Sequence, residues 1–457
     1  MICLPDLSSL STGEKDALIQ RLAALVDVLS RQVEDLEARL NEPPKTPHNS
    51  STPPSSGRKS AVTTTGRPAG GKKRRKGHKG SFRALHPAPS RIRDLRLSRC
   101  PCCSADIGQA EQTVCQAYDH IDLPPITPVV TRVHLHGGRC PHCAGPFKAS
   151  APQDMPPGSP FGPGLRTLVL YLRYTQFIGL ARLSRLLGDC FGITISQGAL
   201  VNMLAKASPC FAEQFERIKT RLQAAPVLAS DETGLRIKGR NGWLWVVHHD
   251  HSAAFIAAQS RAKRVLEDFL GPHRPTFWLS DRYGAQKGWA SQGHQYCLAH
   301  LIRDAQYAID AGDNIFAPGF IVLLKRACRI GRRRPELSDD QLQAYHRKFV
   351  KKLSQLLELS PSHPEGMALR KAIAKSRRNL FVFVTNRQIE PTNNGSERAL
   401  RPCATFRKVT NGFRTEEGAN FYANIRSVLE TARRQAIAPL HAIRLTLNRT
   451  PMPNAFA

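Results

Sequence analysis

Two aspartates in this chain stand at the ends of apolar, strand-like runs. Val227-Leu228-Ala229-Ser230 delivers Asp231, and Phe277-Trp278-Leu279-Ser280 delivers Asp281. A carboxylate at the end of a buried strand is costly unless it coordinates something. A third acid, Glu397, lies in Asn393-Asn394-Gly395-Ser396-Glu397-Arg398-Ala399-Leu400. There Asn393 or Asn394 can cap a new helix and set Glu397 in its first turns. Two strand-end aspartates and one helix-borne glutamate suit two Mg²⁺ ions, or Mn²⁺, which take oxygen ligands and keep waters and substrate phosphates. A pair of ions about 4 Å apart stabilises the attacking and leaving oxygens of an in-line phosphodiester displacement. Taken singly, each carboxylate reads equally well as a cap or a salt-bridge partner.

A second chemistry lies upstream. Cys100, Cys103, Cys140 and Cys143 form two C-x-x-C pairs, each with Pro after the first Cys. Four thiolates so spaced can surround a structural Zn²⁺ tetrahedrally, each pair gripping one edge. Residues 129–135 are β-rich and lead into the second pair as in a zinc-ribbon hairpin. Cys102 is a spare that blurs which thiol binds. Cys297-x-x-His300 also has ligand spacing, but reads better as a helix packed near the acidic site, with Asp304 one turn beyond His300. Arg398 and Arg401 share a helical face near Glu397 and suit the scissile or flanking phosphates. Lys325, Arg326, Arg329 and Arg332-Arg333-Arg334 make another basic cluster. Trp245 and Trp278 read as sheet core, and Trp289, in a polar stretch, as a base-stacking candidate.

These residues need elements to hold them. Residues 226–230, 242–248, 253–258 and 276–280 read as strands, and residues 161–222 as helices. Within the latter, Ser196 is an N-cap after a Gly-containing turn, in a helix-turn-helix or a hairpin packed on the core. Leu18, Leu22, Leu25, Leu29 and Leu36 alternate steps of four and three, the spacing of a coiled-coil seam, and Ser11 with Glu14 makes a capping box. Residues 43–89 turn to Pro, Ser, Thr and Gly and cannot bury enough apolar surface to fold. They carry the run Lys72-Lys73-Arg74-Arg75-Lys76, a phosphate-tracking arm.

Composition narrows the class. The chain has 457 residues, with 66 Lys+Arg against 36 Asp+Glu and a net charge of +30. Nucleic acid is the default partner for such an excess, since neutralised phosphates release counterions. Hydrophobic content of 41% and mean hydropathy of -0.34 speak against a membrane protein and a wholly disordered one. Met1-Ile2-Cys3-Leu4-Pro5 is no signal peptide, so the 12 cysteines are expected as thiols or metal ligands in a cytoplasmic, nucleoid-associated protein.

Over most of its length the chain resembles the transposases of the insertion sequence 66 type, within the DDE, RNase H-like superfamily. The resemblance rests on Gly77-His78-Lys79-Gly80, the paired cysteines, Phe161-Gly162-Pro163-Gly164-Leu165, Ser230-Asp231-Glu232-Thr233, Ser280-Asp281-Arg282-Tyr283-Gly284-Ala285, Cys297-Leu298-Ala299-His300 and Asn393 through Pro402. It implies that Asp231, Asp281 and Glu397 are the DDE triad. It also implies a helical insertion at about 304–380 and a C-terminal tail, 448–457, shorter than in many relatives.

The expected fold class is α/β: an RNase H-like catalytic core at 223–447, preceded by a leucine-rich helix (1–42) and a disordered basic linker (43–92). A zinc-binding module (93–150) and a helical DNA-binding region (158–222) follow the linker. The expected activity is Mg²⁺-dependent cleavage and strand transfer at terminal inverted repeats, by a homo-oligomer, with target DNA and accessory proteins of the same element as partners. The alternative is a non-catalytic, zinc-containing DNA-binding regulator derived from a transposase.

Overall fold

The computed structural model describes residues 11–40, 42–46, 48–50 and 83–452. They belong to two units: Ser60–Arg132 with Leu186–Thr194, and Met1–Lys59, Val133–Arg185 and Ile195–Ala457. The basic run from Lys72 to Lys76 lies outside the described residues.

Helix α1 (Thr12–Leu40) begins at the expected capping box. Ser11 N–H donates to Glu14 Oε2 over 2.8 Å, and Glu14 N–H to Ser11 Oγ over 3.4 Å. Of the seam leucines, Leu22, Leu25 and Leu29 are exposed and Leu18 is half-buried. The side chain of Leu36 lies outside the described ones. Residues 129–135 carry no strand, and Val129 and Val130 stand in solvent. The hairpin comes just after, with β1 (Gly137–Arg139) antiparallel to β2 (Pro146–Lys148).

Three helices follow: α2 (Pro163–Tyr174), α3 (Leu180–Phe191) and α4 (Gln197–Gln223). Gly192 turns the chain with φ +65°, a left-handed conformation that costs glycine nothing. Ser196 caps α4, its Oγ accepting Ala199 N–H over 3.1 Å. In α4, Leu200, Met203, Leu204, Ala207, Phe211, Ile218 and Leu222 are buried. Their recurrence at helical spacing makes one apolar face, which meets β5 and α12 below.

The sheet that follows is mixed. Strands β3 (Val227–Ile237), β4 (Arg240–His249) and β5 (Ser252–Ala258) form an antiparallel meander. After α5 (Arg264–Leu270), β6 (Phe277–Ser280) pairs parallel to β3, and β7 (Gly293–Tyr296) pairs parallel to β6. The order is β5-β4-β3-β6-β7, so β3 lies at the centre. Trp245 and Trp278 are sheet core with no exposed surface. Trp289 is also buried and donates its Nε1–H to Ala285 O over 2.8 Å. It offers no face to a base.

Between β7 and the carboxylate helix the chain is helical: α6 (Leu298–Ala311), α7 (Ala317–Arg333), α8 (Asp339–Leu357), α9 (Pro364–Ser376) and the short α10 (Val382–Thr385). Phe316, Phe320, Leu324, Phe349, Phe381 and Phe383 share one buried cluster there. Arg334, from the expected basic cluster, is buried rather than solvated. Its guanidinium donates to the carbonyls of Gly331, Phe383, Asn386 and Ile389. The last helices are α11 (Asn394–Thr410), α12 (Glu416–Arg434) and α13 (Pro439–Leu447). Helix α12 covers the outer edge of β5. Ser427 Oγ accepts Phe255 N–H over 2.7 Å, and Thr431 Oγ1 accepts Ala253 N–H over 3.1 Å. An open strand edge is a template for pairing with other chains, and here two of its donors, on Ala253 and Phe255, are satisfied from within.

Candidate active site

Strand register brings the two aspartates together. Val227 lies opposite Phe277, Leu228 opposite Trp278 and Ala229 opposite Leu279. Continued two residues, this register sets Asp231 beside Asp281, the first residue after β6. Asp281 Oδ1 accepts Tyr283 N–H over 2.9 Å, an Asx turn that fixes the carboxylate at the strand end. Asp231 Oδ1 accepts Glu232 N–H over 2.9 Å.

Glu397 lies in the first turn of α11. Its Oε1 is 3.5 Å from Arg303 Nη1 and 3.8 Å from His300 Nε2, both on α6. Asp231 feels the other two acids. Burial first, then Glu232, Asp281 and more weakly Glu397, push the Asp231 carboxyl well above the usual carboxylate range. His300 is held below its ordinary value, chiefly by burial and against the pull of Glu397. Among the described residues no three His, Cys, Asp or Glu side chains close around a common point as a formed metal cage would.

A buried polar brace ties the three carboxylate-bearing segments together. Asn393 is the N-cap residue of α11 by position, but its side chain does not cap the helix. Instead Nδ2 donates to Ser230 O over 2.8 Å, next to Asp231. Its Oδ1 accepts Ser396 Oγ–H over 2.6 Å, and its backbone N–H meets Cys297 Sγ at 3.0 Å. Cys297 in turn donates its N–H to Ser280 O over 2.8 Å, next to Asp281. Cys297 is buried, which pushes its thiol up to about 11. It serves as a neutral acceptor here.

Behind the brace, His248 Nε2 lies 2.9 Å from Ser396 Oγ. Because Ser396 gives its proton to Asn393, the imidazole must donate, which assigns the Nε2–H tautomer. Burial, then the nearby cations Arg434 and Arg398 with His249, holds His248 well below its usual value and neutral. Gly395 permits this contact, since a Cβ there would come within 3.0 Å of His248 Cε1. Arg398 and Arg401 are exposed on α11. Arg407 is turned inward and donates to Gly234 O.

The two cysteine pairs, each in its own unit, have the same local geometry. Ser104 N–H returns to Cys100 O over 2.9 Å, and Ala144 N–H to Cys140 O over 2.8 Å. Cys100 N–H bonds Ala105 O, and Cys140 N–H bonds Gly145 O. Ser104 and Ala144 both take positive φ, 60° and 55°. Backbone N–H groups of Cys103 and Cys102 point at Cys100 Sγ and lower its pKa, as those of Cys143 and His142 do for Cys140. Amides aimed at a sulfur favour the thiolate. The match pairs Cys103 with Cys143 and leaves Cys102 in the place of His142.

A central strand in a mixed sheet, with acidic residues where that strand, its neighbour and a following helix converge, defines an α/β core with an acidic candidate site. Residues 158–421, more than half of the chain, match the family described as "Transposase IS66 family". The chain belongs to that family of transposases. It is also 22% identical over 373 residues to a Sinorhizobium fredii (strain NBRC 101917 / NGR234) protein described as "Uncharacterized protein y4jD", covering 74% of this chain and 72% of that one. Among the described residues no helix is long and apolar enough to cross a membrane.

Proposed function

We propose that this transposase binds the ends of an insertion sequence and carries out DNA cleavage and strand transfer at Asp231, Asp281 and Glu397, on an RNase H-like core. The observation that carries the reading is the parallel β3–β6 register, which sets the two aspartates side by side where α11 presents Glu397. The donors are hard carboxylate oxygens, and the charged form of Asp231 is destabilised first by burial and then by its acidic neighbours. A divalent cation relieves that repulsion, so the residues fit Mg²⁺. When bound, the metal would supply charge stabilisation for the attacking and leaving oxygens.

The chain's own residues do the positioning. Asn393 and Cys297 hold the carboxylate-bearing segments in register. Arg303 and His300 orient Glu397, and Arg398 and Arg401 meet backbone phosphates. The paired cysteines Cys100, Cys103, Cys140 and Cys143 are structural Zn²⁺ ligands on this reading, supported by the shared knuckle geometry. The arm around Lys72, Lys73, Arg74, Arg75 and Lys76 tracks DNA, and α1 joins protomers into a homo-oligomer.

The test is strand transfer on DNA carrying the element's own ends with Asp281→Asn. We expect loss of joined product with unchanged folding. A folded variant that still joins strands refutes the triad.

A further inference from the structure

We propose that Arg261 is a seat for a DNA backbone phosphate beside the carboxylates, held ready by Glu232, Tyr283 and Trp243. This rests on the reading that DNA enters at Asp231 and Asp281. Side chains alternate along β3, so Glu232 points to the opposite face from Asp231. The Glu232 side chain is 1% exposed. Its Oε1 takes both Nε and Nη2 of Arg261, at 2.8 and 2.6 Å, and its Oε2 takes Gln286 Nε2 at 2.7 Å.

That geometry spends one edge of the guanidinium. The other edge, Nη1 with the second proton of Nη2, has no protein partner among the described residues. A free planar fork is the shape that matches two phosphate oxygens. The fork cannot swing away. Arg261 Cζ lies 3.8 Å from the Tyr283 ring centroid and 4.6 Å from that of Trp243. Tyr283 also donates its hydroxyl to Arg261 O over 3.0 Å. Yet the Arg261 side chain keeps 37% of its surface in solvent. A braced arginine loses little rotamer freedom on taking an anion.

The placement joins this cluster to the acids. Glu232 follows Asp231 directly, and Tyr283 holds Asp281 Oδ1 with its backbone N–H. On this proposal a strand whose scissile phosphate lies at the carboxylates would pass round β3 to bring a neighbouring phosphate to Arg261.

The experiment measures binding of a labelled duplex with a single-stranded overhang to the full chain across a salt series. Arg261→Gln alone would strand a buried carboxylate, so the informative variant is Glu232→Gln/Arg261→Gln, whose net charge equals the parent's. Loss of one phosphate contact should flatten the log–log salt slope by about 0.7–0.9 and weaken binding about tenfold. Glu232→Gln alone should keep the parental slope. A folded double variant with the parental slope overturns the seat. If the pair does not fold, Arg261→Lys keeps the charge but loses the fork, and unchanged affinity there overturns the proposal. The two readings fail separately. A flattened slope beside an active Asp281→Asn keeps the seat and removes the triad, and a parental slope beside an inactive Asp281→Asn does the reverse.

Discussion

Replacing Asn393 by alanine tests whether the brace positions the site. The side chain is fully buried and makes two hydrogen bonds, to Ser230 O and from Ser396 Oγ. Asn393→Ala leaves the Ser230 carbonyl unsatisfied inside the protein, at about 1–3 kcal/mol, and forfeits a further bond worth roughly 0.5–1.5 kcal/mol. Ser396 retains His248 as a partner, so the total should be about 2–4 kcal/mol. Against a domain stability of about 5–15 kcal/mol, the variant still folds, with a melting midpoint lower by roughly 5–15 °C.

Strand transfer should fall further than stability explains. Helix α11 loses its tie to β3, and a misplacement of about 1 Å costs roughly a hundredfold in rate. Asn393→Asp sharpens the test. The introduced carboxyl, buried beside a carbonyl, has a raised pKa, and only its protonated form can donate to Ser230 O. Its deficit should therefore be small at low pH and grow as pH rises through that pKa, while the alanine deficit stays level. The assays are thermal melts across pH and strand transfer at matched folded fraction. An Asn393→Ala protein that melts within about 0.5 kcal/mol of the parent and joins strands normally refutes the brace.

Other outcomes follow from the same geometry. Asp231 has a folded pKa above its unfolded one, so between the two the native state binds more protons, and stability falls as pH rises through that window. In metal-chelated protein Asp231→Asn should remove this fall, and melts across pH with EDTA will read it. Elemental analysis should find about one Zn²⁺ per chain, lost on joint replacement of Cys100 and Cys140; a metal-free, folded parent counts against the knuckles. Arg334→Met strands several carbonyls ahead of α11 and should destabilise by about 3–5 kcal/mol by chemical denaturation; a cost under about 1 kcal/mol would mean that those carbonyls find other partners.

What the sequence disclosed follows a physical divide. Asp281 was legible because an apolar run leads to it and ends there, and such runs announce buried strands. Asp231, expected at a strand end for the same reason, lies inside β3, which continues to Ile237 because residues beyond the apolar run still pair with β4. The caps at Ser11 and Ser196 were legible because capping is local. Strand β7 escaped because Gly293-His294-Gln295-Tyr296 neither alternates nor runs apolar; it is a strand because it pairs with β6. Asn393 or Asn394 was expected to cap the new helix, a local role, whereas the side chain of Asn393 is claimed by a carbonyl 163 residues away. Trp289 and Arg334 sit in polar stretches and are buried nonetheless, because their polar atoms find carbonyl partners only in the folded chain. The β-rich reading of residues 129–135 failed for the converse reason: propensity without a partner strand does not make a sheet.

The contact between α12 and β5 has a metrical consequence. Four residues of helix rise about 6 Å, and two residues of strand advance about 6.7 Å. Ser427 and Thr431 therefore fall in step with Phe255 and Ala253, as teeth of equal pitch. A slip of either element by one residue would unseat both hydroxyls at once. The helix that follows the carboxylate helix is thus indexed to the sheet in whole steps, and α11, just before it in the chain, inherits that indexing.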